Sequence, residues 1–236
     1  MIRKINIRGV IIPNDYKWYY DYWEMDSTCP SDVQKVIDNC QPGDTVEVYV
    51  NSPGGVIDVG SEIYTLLHQM KDNVTIYVTG EACSAASIIS MAAKCIMSPT
   101  ALMMVHCVST SADGNHKDME KTAEILITAD NALCTAYMNK SGMTREEVLA
   151  MMEAETWLTA EKAKEMGLID EIMFNEENNK SVLIDGPLFS LPTETQLANA
   201  KHMINLDDAS GEKTDISSID ITKAKLNLLN LKGVTK

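Results

Sequence analysis

Apolar and polar positions alternate in two stretches of the first fifty residues, and this alternation is typical of β-strands. Residues 5–12 and 46–50 are rich in β-branched side chains and are bounded by turn-forming residues. From residue 56 to Met70 the apolar side chains recur instead at steps of three and four. That spacing predicts an amphipathic helix of about four turns.

The next segments continue the alternation of strands and helices. Residues 74–78 and 101–106 are predicted strands, and residues 84–93, which are rich in small side chains, form a predicted helix between them. Successive β-α-β-α units of this kind predict an α/β fold.

The longest predicted helix spans residues 117–140. Six apolar residues from Met119 to Tyr137 form one stripe along it, and the pair Ser141-Gly142 is a typical helix end. The shorter elements that follow are predicted at 144–152, where Thr144 and Glu147 form a capping box, at 160–166 and at 168–172.

The composition changes near residue 175, where an Asn- and Glu-rich stretch is followed by residues without sustained periodicity. We therefore predict one domain over residues 1–175. Residues 176–236 are predicted to be a C-terminal extension that is weakly structured or ordered only by a partner.

Composition and charge exclude several classes of protein. Hydrophobic residues make up 45% and charged residues 23% of the 236 residues, and these values are ordinary for a globular protein. The net charge of −14 disfavours binding to nucleic acid or to an anionic membrane. There is no apolar run of the roughly 20 residues that a membrane helix needs.

The cysteines and the N-terminal residues indicate a cytoplasmic protein. The six cysteines are scattered without a C-x-x-C pair, so we expect reduced, mostly packed thiols and no zinc site. The first fifteen residues alternate like a strand and contain no small-residue cleavage site, which disfavours a signal peptide.

Two glycines mark the first candidate for chemistry. Gly54 and Gly55 end the run Asn51-Ser52-Pro53-Gly54-Gly55, which lies between a predicted strand and a predicted helix. Unhindered backbone amides at such a turn can bind an anion or an oxyanion. A plain strand-to-helix turn is the alternative interpretation.

Ser84 is the second candidate, because it follows a strand and a glycine and starts a helix of small residues. A hydroxyl at this position is stabilised by the helix dipole as negative charge develops on it, and the small neighbours leave room for a substrate. A simple N-cap serine is the alternative.

His106 ends a predicted strand and is the best placed of the four histidines to act as a general base. A carboxylate that orients it would come from later in the chain, where Glu153, Glu155 and Asp170 lie near predicted element ends.

Taken together, four segments resemble the ClpP family of serine peptidases over roughly residues 5–174. These segments are Val50 to Gly55, Gly80-x-Ala82-x-Ser84, Met104-Val105-His106, and Thr156 to Ile172. The wording Glu-Thr-Trp-Leu-x-Ala-Glu is most similar to the ClpP-like head maturation (prohead) proteases encoded beside capsid genes in tailed phages and prophages.

The resemblance implies roles for individual residues. It makes Ser84 the nucleophile and His106 the general base, and it assigns the oxyanion donors to the backbone amides of Gly54 or Gly55 and of Ala85. The family's aspartate is replaced here by Glu155, which we expect to be the third member of the triad, with Asp130 and Asp170 as substitutes. Ser87, one helical step from Ser84, does not fit the family register.

The resemblance also implies a fold, an activity and partners. The fold is a ClpP/crotonase-type spiral of β-β-α units with a projecting long helix, assembled into a ring-shaped homo-oligomer. The activity is peptide-bond hydrolysis on protein or peptide substrates, including capsid or scaffold proteins, without a metal or other cofactor.

Three alternatives remain open: a housekeeping proteolytic ring that works with an ATPase, a crotonase-like acyl-CoA enzyme, and a catalytically silent ring or scaffold-binding module. For the aromatic stretch from Tyr16 to Trp23 we expect packing in the core or between protomers rather than a peptide-binding lip.

Overall fold

The computed structural model describes residues 1–174, and in this range the alternating segments form a single sheet of eight strands. The strands are β1 (Ile2–Ile11), β2 (Ser27–Thr28), β3 (Thr45–Gly55), β4 (Val74–Cys83), β5 (Lys94–Met97), β6 (Leu102–Val105), β7 (Thr156–Thr159) and β8 (Glu171–Ile172). The helices are α1 (Lys17–Tyr22), α2 (Pro30–Asp38), α3 (Ile57–His68), α4 (Ala85–Ser90), α5 (His116–Ser141), α6 (Arg145–Glu153) and α7 (Ala160–Glu165).

The sheet is almost entirely parallel, which confirms the predicted α/β class. Its main path runs β2-β1-β3-β4-β5-β8, and all of these neighbours pair in parallel. Strand β6 lies off this path, where it pairs in parallel with the end of β4 and antiparallel with β7. Ligand sites in parallel sheets lie at the carboxyl ends of the strands, so we expect the functional site at the ends of β3, β4 and β6.

Strand β4 changes partner along its length. Its first part pairs with β5, and Glu81 to Cys83 pair with β6. The change falls at Gly80, where a Cβ atom would lie 2.3 Å from Oδ1 of Asn51, so a side chain does not fit there. The same Oδ1 accepts a hydrogen bond from the Glu81 amide at 3.1 Å. Asn51 thereby fixes the bend that directs the end of β4 towards β6.

Strand β3 is longer than the sequence pattern predicts. Every second residue from Val46 to Gly54 is buried, and pairing with β1 continues through Gly55. The predicted turn over residues 51–55 is therefore wrong, because these residues extend the strand past a register shift in β1. Helix α3 begins two residues later, close to its predicted start.

Helix α4 lies at the centre of the core. All six of its residues are buried, and Ala85 at its start is contacted by α3. A Cβ atom on Gly60 of α3 would lie 2.8 Å from the Ala85 Cβ. The small residues of this segment thus allow two helices to pack closely, as the sequence predicted.

Helix α5 is the longest helix of the described residues, as predicted. Asn115 caps its N-terminus, and Gly142, with φ of 77°, ends it in the left-handed conformation. Buried residues occur only in its C-terminal half, at Cys134, Ala136 and Tyr137. The predicted stripe therefore does not pack along its whole length, and the N-terminal half projects from the domain.

Most of the aromatic stretch forms helix α1, and of the two packing modes predicted for it, packing in the core is wrong, whereas packing between protomers stays a prediction. None of its residues is buried, and Trp18 and Tyr22 are 70% and 73% exposed. The rings contact one another edge to face.

The remaining predictions concern the cysteines, the membrane and the C-terminal extension. All six cysteines are free, and four of them are buried. Among residues 1–174 no helix has the length and apolar character needed to span a membrane. The predicted extension over 176–236 lies outside the described residues.

Candidate active site

Ser84 lies in the turn that joins β4 to α4. Its backbone has φ of 53° and ψ of −123°, a conformation that residues other than glycine rarely adopt. The Ser84 amide donates a hydrogen bond to the Met104 carbonyl at 3.0 Å, which holds the turn against β6. The Ser84 side chain is partly exposed, although the α4 residues that follow it are buried.

His106 is brought to Ser84 by the pairing of their strands. Cys83 of β4 is in register with Met104 of β6, so Ser84 comes beside Val105 and His106 lies one residue further along. Nε2 of His106 lies 2.8 Å from Oγ of Ser84, within hydrogen-bond distance. These two elements were predicted separately, and the structure joins their terminal residues.

Ser87 is in a different environment from Ser84. It is fully buried, its hydroxyl donates to the Ser84 carbonyl at 2.7 Å, and it lies 2.7 Å from the Tyr137 hydroxyl. Burial raises the pKa of the Tyr137 hydroxyl far above its ordinary value. Ser87 therefore links α4 to α5 inside the core and is not accessible to a substrate.

Gly54 lies against the backbone of the Ser84 turn. A Cβ atom on Gly54 would lie 2.6 Å from the Cys83 carbonyl oxygen, 2.8 Å from the Ser84 Cβ and 3.1 Å from the Ala85 amide nitrogen. The structure therefore brings Gly54 of the predicted glycine pair to the Ser84 turn and the Ala85 amide, whereas Gly55 lies against the backbone of Ile11. Ala85 is the first residue of α4, so its amide has no acceptor within the helix.

Ser52 is a site residue to which the sequence reasoning gave no role. It is fully buried, donates from Oγ to the Gly9 carbonyl at 2.6 Å and accepts from the Gly54 amide at 3.1 Å. Ser52 thus holds Gly54 in place against the Ser84 turn. Its hydroxyl oxygen accepts the hydrogen bond of the Gly54 amide, so that amide already has a partner in this structure. The place of Ser52 two residues before a glycine pair at a strand end was the only signal in the sequence.

Glu155 lies in the turn between α6 and β7, next to His106 in register. The antiparallel ladder pairs Val105 with Thr156, so one step further it pairs His106 with Glu155. The amides of Glu155 and Cys107 both donate to the Met152 carbonyl at 3.1 Å. Oε1 of Glu155 accepts from the Trp157 indole at 3.4 Å, and among the described side chains no hydrogen bond joins Glu155 to His106.

The alternative carboxylates have other partners. Asp170 accepts from the Cys95 amide at 2.7 Å and forms an ion pair with Lys140, at the far end of the sheet. Glu153 is exposed at the last position of α6. Asp130 on α5 accepts from the Val108 amide at 2.7 Å, two residues after His106. Asp130 therefore holds the loop that follows the histidine.

The thiols beside the two candidate residues are held in the neutral form. Burial, assisted by the nearby Glu81 carboxylate, raises the pKa of Cys83 to about 12. Burial and the neighbouring Asp130 raise the pKa of Cys107 to about 11. Within residues 1–174 no three His, Cys, Asp or Glu side chains are grouped closely enough to hold a metal ion.

This arrangement contains the parts needed for nucleophilic acyl transfer. A hydroxyl within hydrogen-bond distance of a neutral imidazole can lose its proton as it attacks a carbonyl carbon. A free backbone amide beside the hydroxyl, such as that of Ala85, can stabilise the oxyanion that then forms. Both features lie at the carboxyl ends of adjacent strands, at the edge of the core rather than inside it.

Comparisons with known proteins connect this geometry to a family. A family model described as Clp protease matches residues 32–176. The ATP-dependent Clp protease proteolytic subunit of Bacteroides fragilis is 32% identical over 143 residues, which cover 59% of this chain and 69% of that protein. The proteolytic subunit 1 of Chlamydia abortus is 30% identical over 139 residues, which cover 57% of this chain and 72% of that protein.

A solved structure supports the same relationship at the level of the fold. A single-site mutant of ClpP1 from Listeria monocytogenes superposes with a TM-score of 0.59 and 21% identity, covering 74% of this chain and 93% of that chain. The predicted ClpP-type architecture is therefore confirmed.

Proposed function

The chain belongs to the Clp protease family, and on that premise we propose that it is a serine endopeptidase with Ser84 as nucleophile and His106 as general base. The observation that supports this most strongly is the 2.8 Å approach of His106 Nε2 to Ser84 Oγ. The partial exposure of Ser84, beside buried neighbours, supports access of a peptide to the same hydroxyl.

The proposed reaction proceeds through an acyl-enzyme. Ser84 Oγ attacks the carbonyl carbon while His106 Nε2 accepts the hydroxyl proton, and the same nitrogen then protonates the leaving amine. A water molecule, deprotonated by His106, attacks the ester, and His106 returns the proton to Ser84 Oγ as the acid is released. The Ala85 amide and one amide of the Gly54-Gly55 pair stabilise the negative charge on the carbonyl oxygen in both steps.

Two details bear on the oxyanion donors and on the third triad residue. The Gly54 amide is engaged by Ser52, so it serves as the donor only if it releases that contact. Glu155 is the proposed partner of the other imidazole nitrogen, because the β6–β7 register places its backbone beside His106. Turning the Glu155 carboxylate from Trp157 to Nδ1 of His106 completes the triad.

The test is hydrolysis of fluorescein-labelled casein by the full chain. We expect wild type to cleave it and Ser84→Ala or His106→Ala to lose roughly a thousandfold or more in kcat. Undiminished hydrolysis by Ser84→Ala would contradict the assignment. The absence of hydrolysis by wild type under assembled conditions would favour a catalytically silent module.

We also propose that the protein works as a ring-shaped homo-oligomer. The projecting half of α5 supports this proposal, because Ile125 and Ile127 are 58% and 60% exposed on it. Residues two apart on a helix point about 200° apart, so two opposite faces of this segment are left uncovered by the other residues of the described range 1–174. A second copy is the natural partner for such a helix.

The proposed biological role is processing of scaffold, portal or capsid proteins during phage head maturation, in the host cytoplasm or the procapsid. The Glu-Thr-Trp-Leu sequence motif and the aromatic helix α1 support this role. Co-expression with the capsid and scaffold proteins of the phage or prophage that carries it should yield discrete fragments, which disappear with Ser84→Ala. The same fragments in both preparations would contradict it.

Residues 176–236 are a proposed substrate of the same site. The intact mass of stored wild-type protein should then show loss of this segment, while Ser84→Ala keeps it. Equal masses in both samples would contradict self-processing.

A housekeeping role with an ATPase is the second candidate, favoured by the similarity to ATP-dependent Clp protease proteolytic subunits. The two candidates differ in what the chain degrades alone. A ring that depends on an unfoldase cleaves a stably folded protein only when the ATPase and ATP are present. Discrete cleavage of a folded capsid protein without ATP would favour the processing role.

A further inference from the structure

An uncharged groove lies between helix α1 and the end of β3, and the reaction proposed above does not use it. Its volume is about 520 Å³. Its lining consists of Val10, Ile12, Pro13, Tyr16, Tyr20, Gly55 and Val56. We call it the aromatic groove. A groove lined without a single charged side chain is notable in a chain with net charge −14.

Two tyrosines of the aromatic segment form one wall of this groove. Tyr16 and Tyr20 are four residues apart, so they lie on one face of the helical segment. The same two residues also line a second cavity of about 450 Å³, together with Asp15, Trp18 and Tyr19. Since α1 buries none of its residues, these rings are not required to fill the core.

The opposite wall is continuous with the proposed active site. Gly55 and Val56 directly follow Gly54, which lies against the Ser84 turn. Consecutive Cα atoms are about 3.8 Å apart, so Val56 lies within roughly 8 Å of Gly54 along the chain. An extended peptide advances about 3.3–3.6 Å per residue. A substrate that passes over Gly54 in an extended conformation would therefore reach Val56 after about two residues.

The aromatic helix also precedes the part of the chain that the family model matches. The Clp protease match begins at residue 32, after α1 and β2. A site that includes α1 therefore distinguishes this chain from what the family model describes.

We infer that the aromatic groove is a specificity subsite that receives a bulky apolar or aromatic side chain of the polypeptide substrate, within two residues of the scissile bond. The inference rests on the proposed serine peptidase function for its position, but the binding it describes does not need the hydrolysis step. Tyrosine rings offer large apolar contact at low entropic cost, which suits them to hold such a side chain.

The test measures peptide binding to the Ser84→Ala protein, so that turnover plays no part. Fluorescence anisotropy compares two series of labelled peptides of otherwise identical sequence, in which a single phenylalanine or a single glutamate is moved through the positions around the scissile bond. We expect one position at which phenylalanine binds about tenfold more tightly than glutamate. Adding Tyr16→Ser and Tyr20→Ser should reduce that preference to about twofold or less.

Two matched controls separate the subsite from a general effect of the helix. Tyr22→Ser removes a more exposed tyrosine of the same helix that lines neither cavity, and it should keep the preference. Tyr16→Phe with Tyr20→Phe keeps both rings and should keep it as well. Loss of the preference in Tyr22→Ser, or no loss in the double serine variant, would overturn the inference.

Two further readouts keep the two proposals distinguishable. Labelling of Ser84 by a small fluorophosphonate, in a protein with Ser84 intact, tests the nucleophile without the subsite. If wild type is not labelled while the Ser84→Ala protein still discriminates between the peptides, the proposed function fails and the subsite stands. If the double serine variant changes only the oligomeric state, the groove is a contact between protomers and the inference is wrong.

Discussion

At the residue scale, the central feature is the strained backbone of Ser84. A φ of 53° with ψ of −123° in a residue other than glycine costs on the order of 1–3 kcal/mol, and surrounding contacts must hold it. Two contacts do so. The Met104 carbonyl accepts a hydrogen bond from the Ser84 amide, and Gly54 lies against the Ser84 Cβ. The turn places the hydroxyl outside the core while α4 behind it stays buried.

The close approach of Gly54 gives a prediction with a matched control. Gly54→Ala adds a Cβ that overlaps the Cys83 carbonyl, in addition to the cost of an alanine at φ of 97°. Gly43 has a similar φ of 90° but nothing within 4 Å of its Cβ position. We expect Gly43→Ala to lower the free energy of unfolding by about 1–2 kcal/mol and Gly54→Ala by about 3 kcal/mol or more.

Urea denaturation followed by tryptophan fluorescence measures both variants, and activity separates them further. Gly43→Ala should keep casein hydrolysis, whereas Gly54→Ala should lose it. Equal losses of stability and of activity in the two variants would show that the contact with the Ser84 turn is unimportant.

Glu155 can be tested against a neighbouring carboxylate. If Glu155 orients His106, Glu155→Gln should lower kcat by about 10⁴, because the imidazole loses the charge that fixes its tautomer. Glu153→Gln makes the same chemical change at an exposed position two residues earlier and should leave kcat unchanged. Full activity of Glu155→Gln in the casein assay would exclude Glu155 from the triad.

The Cys83 thiol should not compete with the neighbouring hydroxyl. It is 3% exposed, and burial raises its pKa to about 12, so at pH 7.5 almost none of it is thiolate. We expect iodoacetamide to leave Cys83 unmodified in the folded protein and to leave hydrolysis intact. Peptide mapping after treatment measures this, and alkylation at Cys83 with loss of activity would contradict it.

At the scale of elements, the sequence predicted the helices and strands that are marked by local features such as periodicity, caps and glycine ends. Helix α5 has an amphipathic stripe and a glycine end, and α6 has the Thr144–Glu147 capping box, which the structure contains. Helix α2 was missed, although Pro30 at its first position and the capping box of Cys29 with Asp32 mark its start. The extension of β3 to Gly55 was missed because it depends on pairing with β1, which is a tertiary contact.

The projecting half of α5 carries the prediction about assembly. Placing a charge on it by Ile125→Asp or Ile127→Asp should prevent ring formation, because the exposed apolar faces would no longer be buried against a second copy. The free energy of unfolding of the protomer should change by less than about 0.5 kcal/mol, since both side chains are exposed.

The control is Thr128→Asp, which adds the same charge at an exposed polar position of the same helix. Native mass spectrometry compares the three variants with wild type. Rings of unchanged size in both isoleucine variants would show that α5 does not join the protomers.

At the scale of the whole molecule, the sequence indicated the architecture better than the site. The α/β class and the family resemblance followed from periodic segments and ordered motifs, and the parallel sheet and the family match confirm them. Spatial relationships could not be read from the chain. The role of Ser52, the burial of Ser87 against Tyr137 and the exposure of α1 each depend on where distant strands and helices meet.

The proposed peptidase function depends on one property of the molecule, namely that Ser84 is an activated nucleophile. The most direct measurement is labelling of the full chain with a fluorophosphonate probe, followed by peptide mapping, in wild type and in the Ser84→Ala and Ser87→Ala variants. The account predicts a tag on Ser84 in wild type, no tag in Ser84→Ala, and a tag still on Ser84 in Ser87→Ala. A tag that persists in Ser84→Ala, or that maps to another residue in wild type, would contradict it.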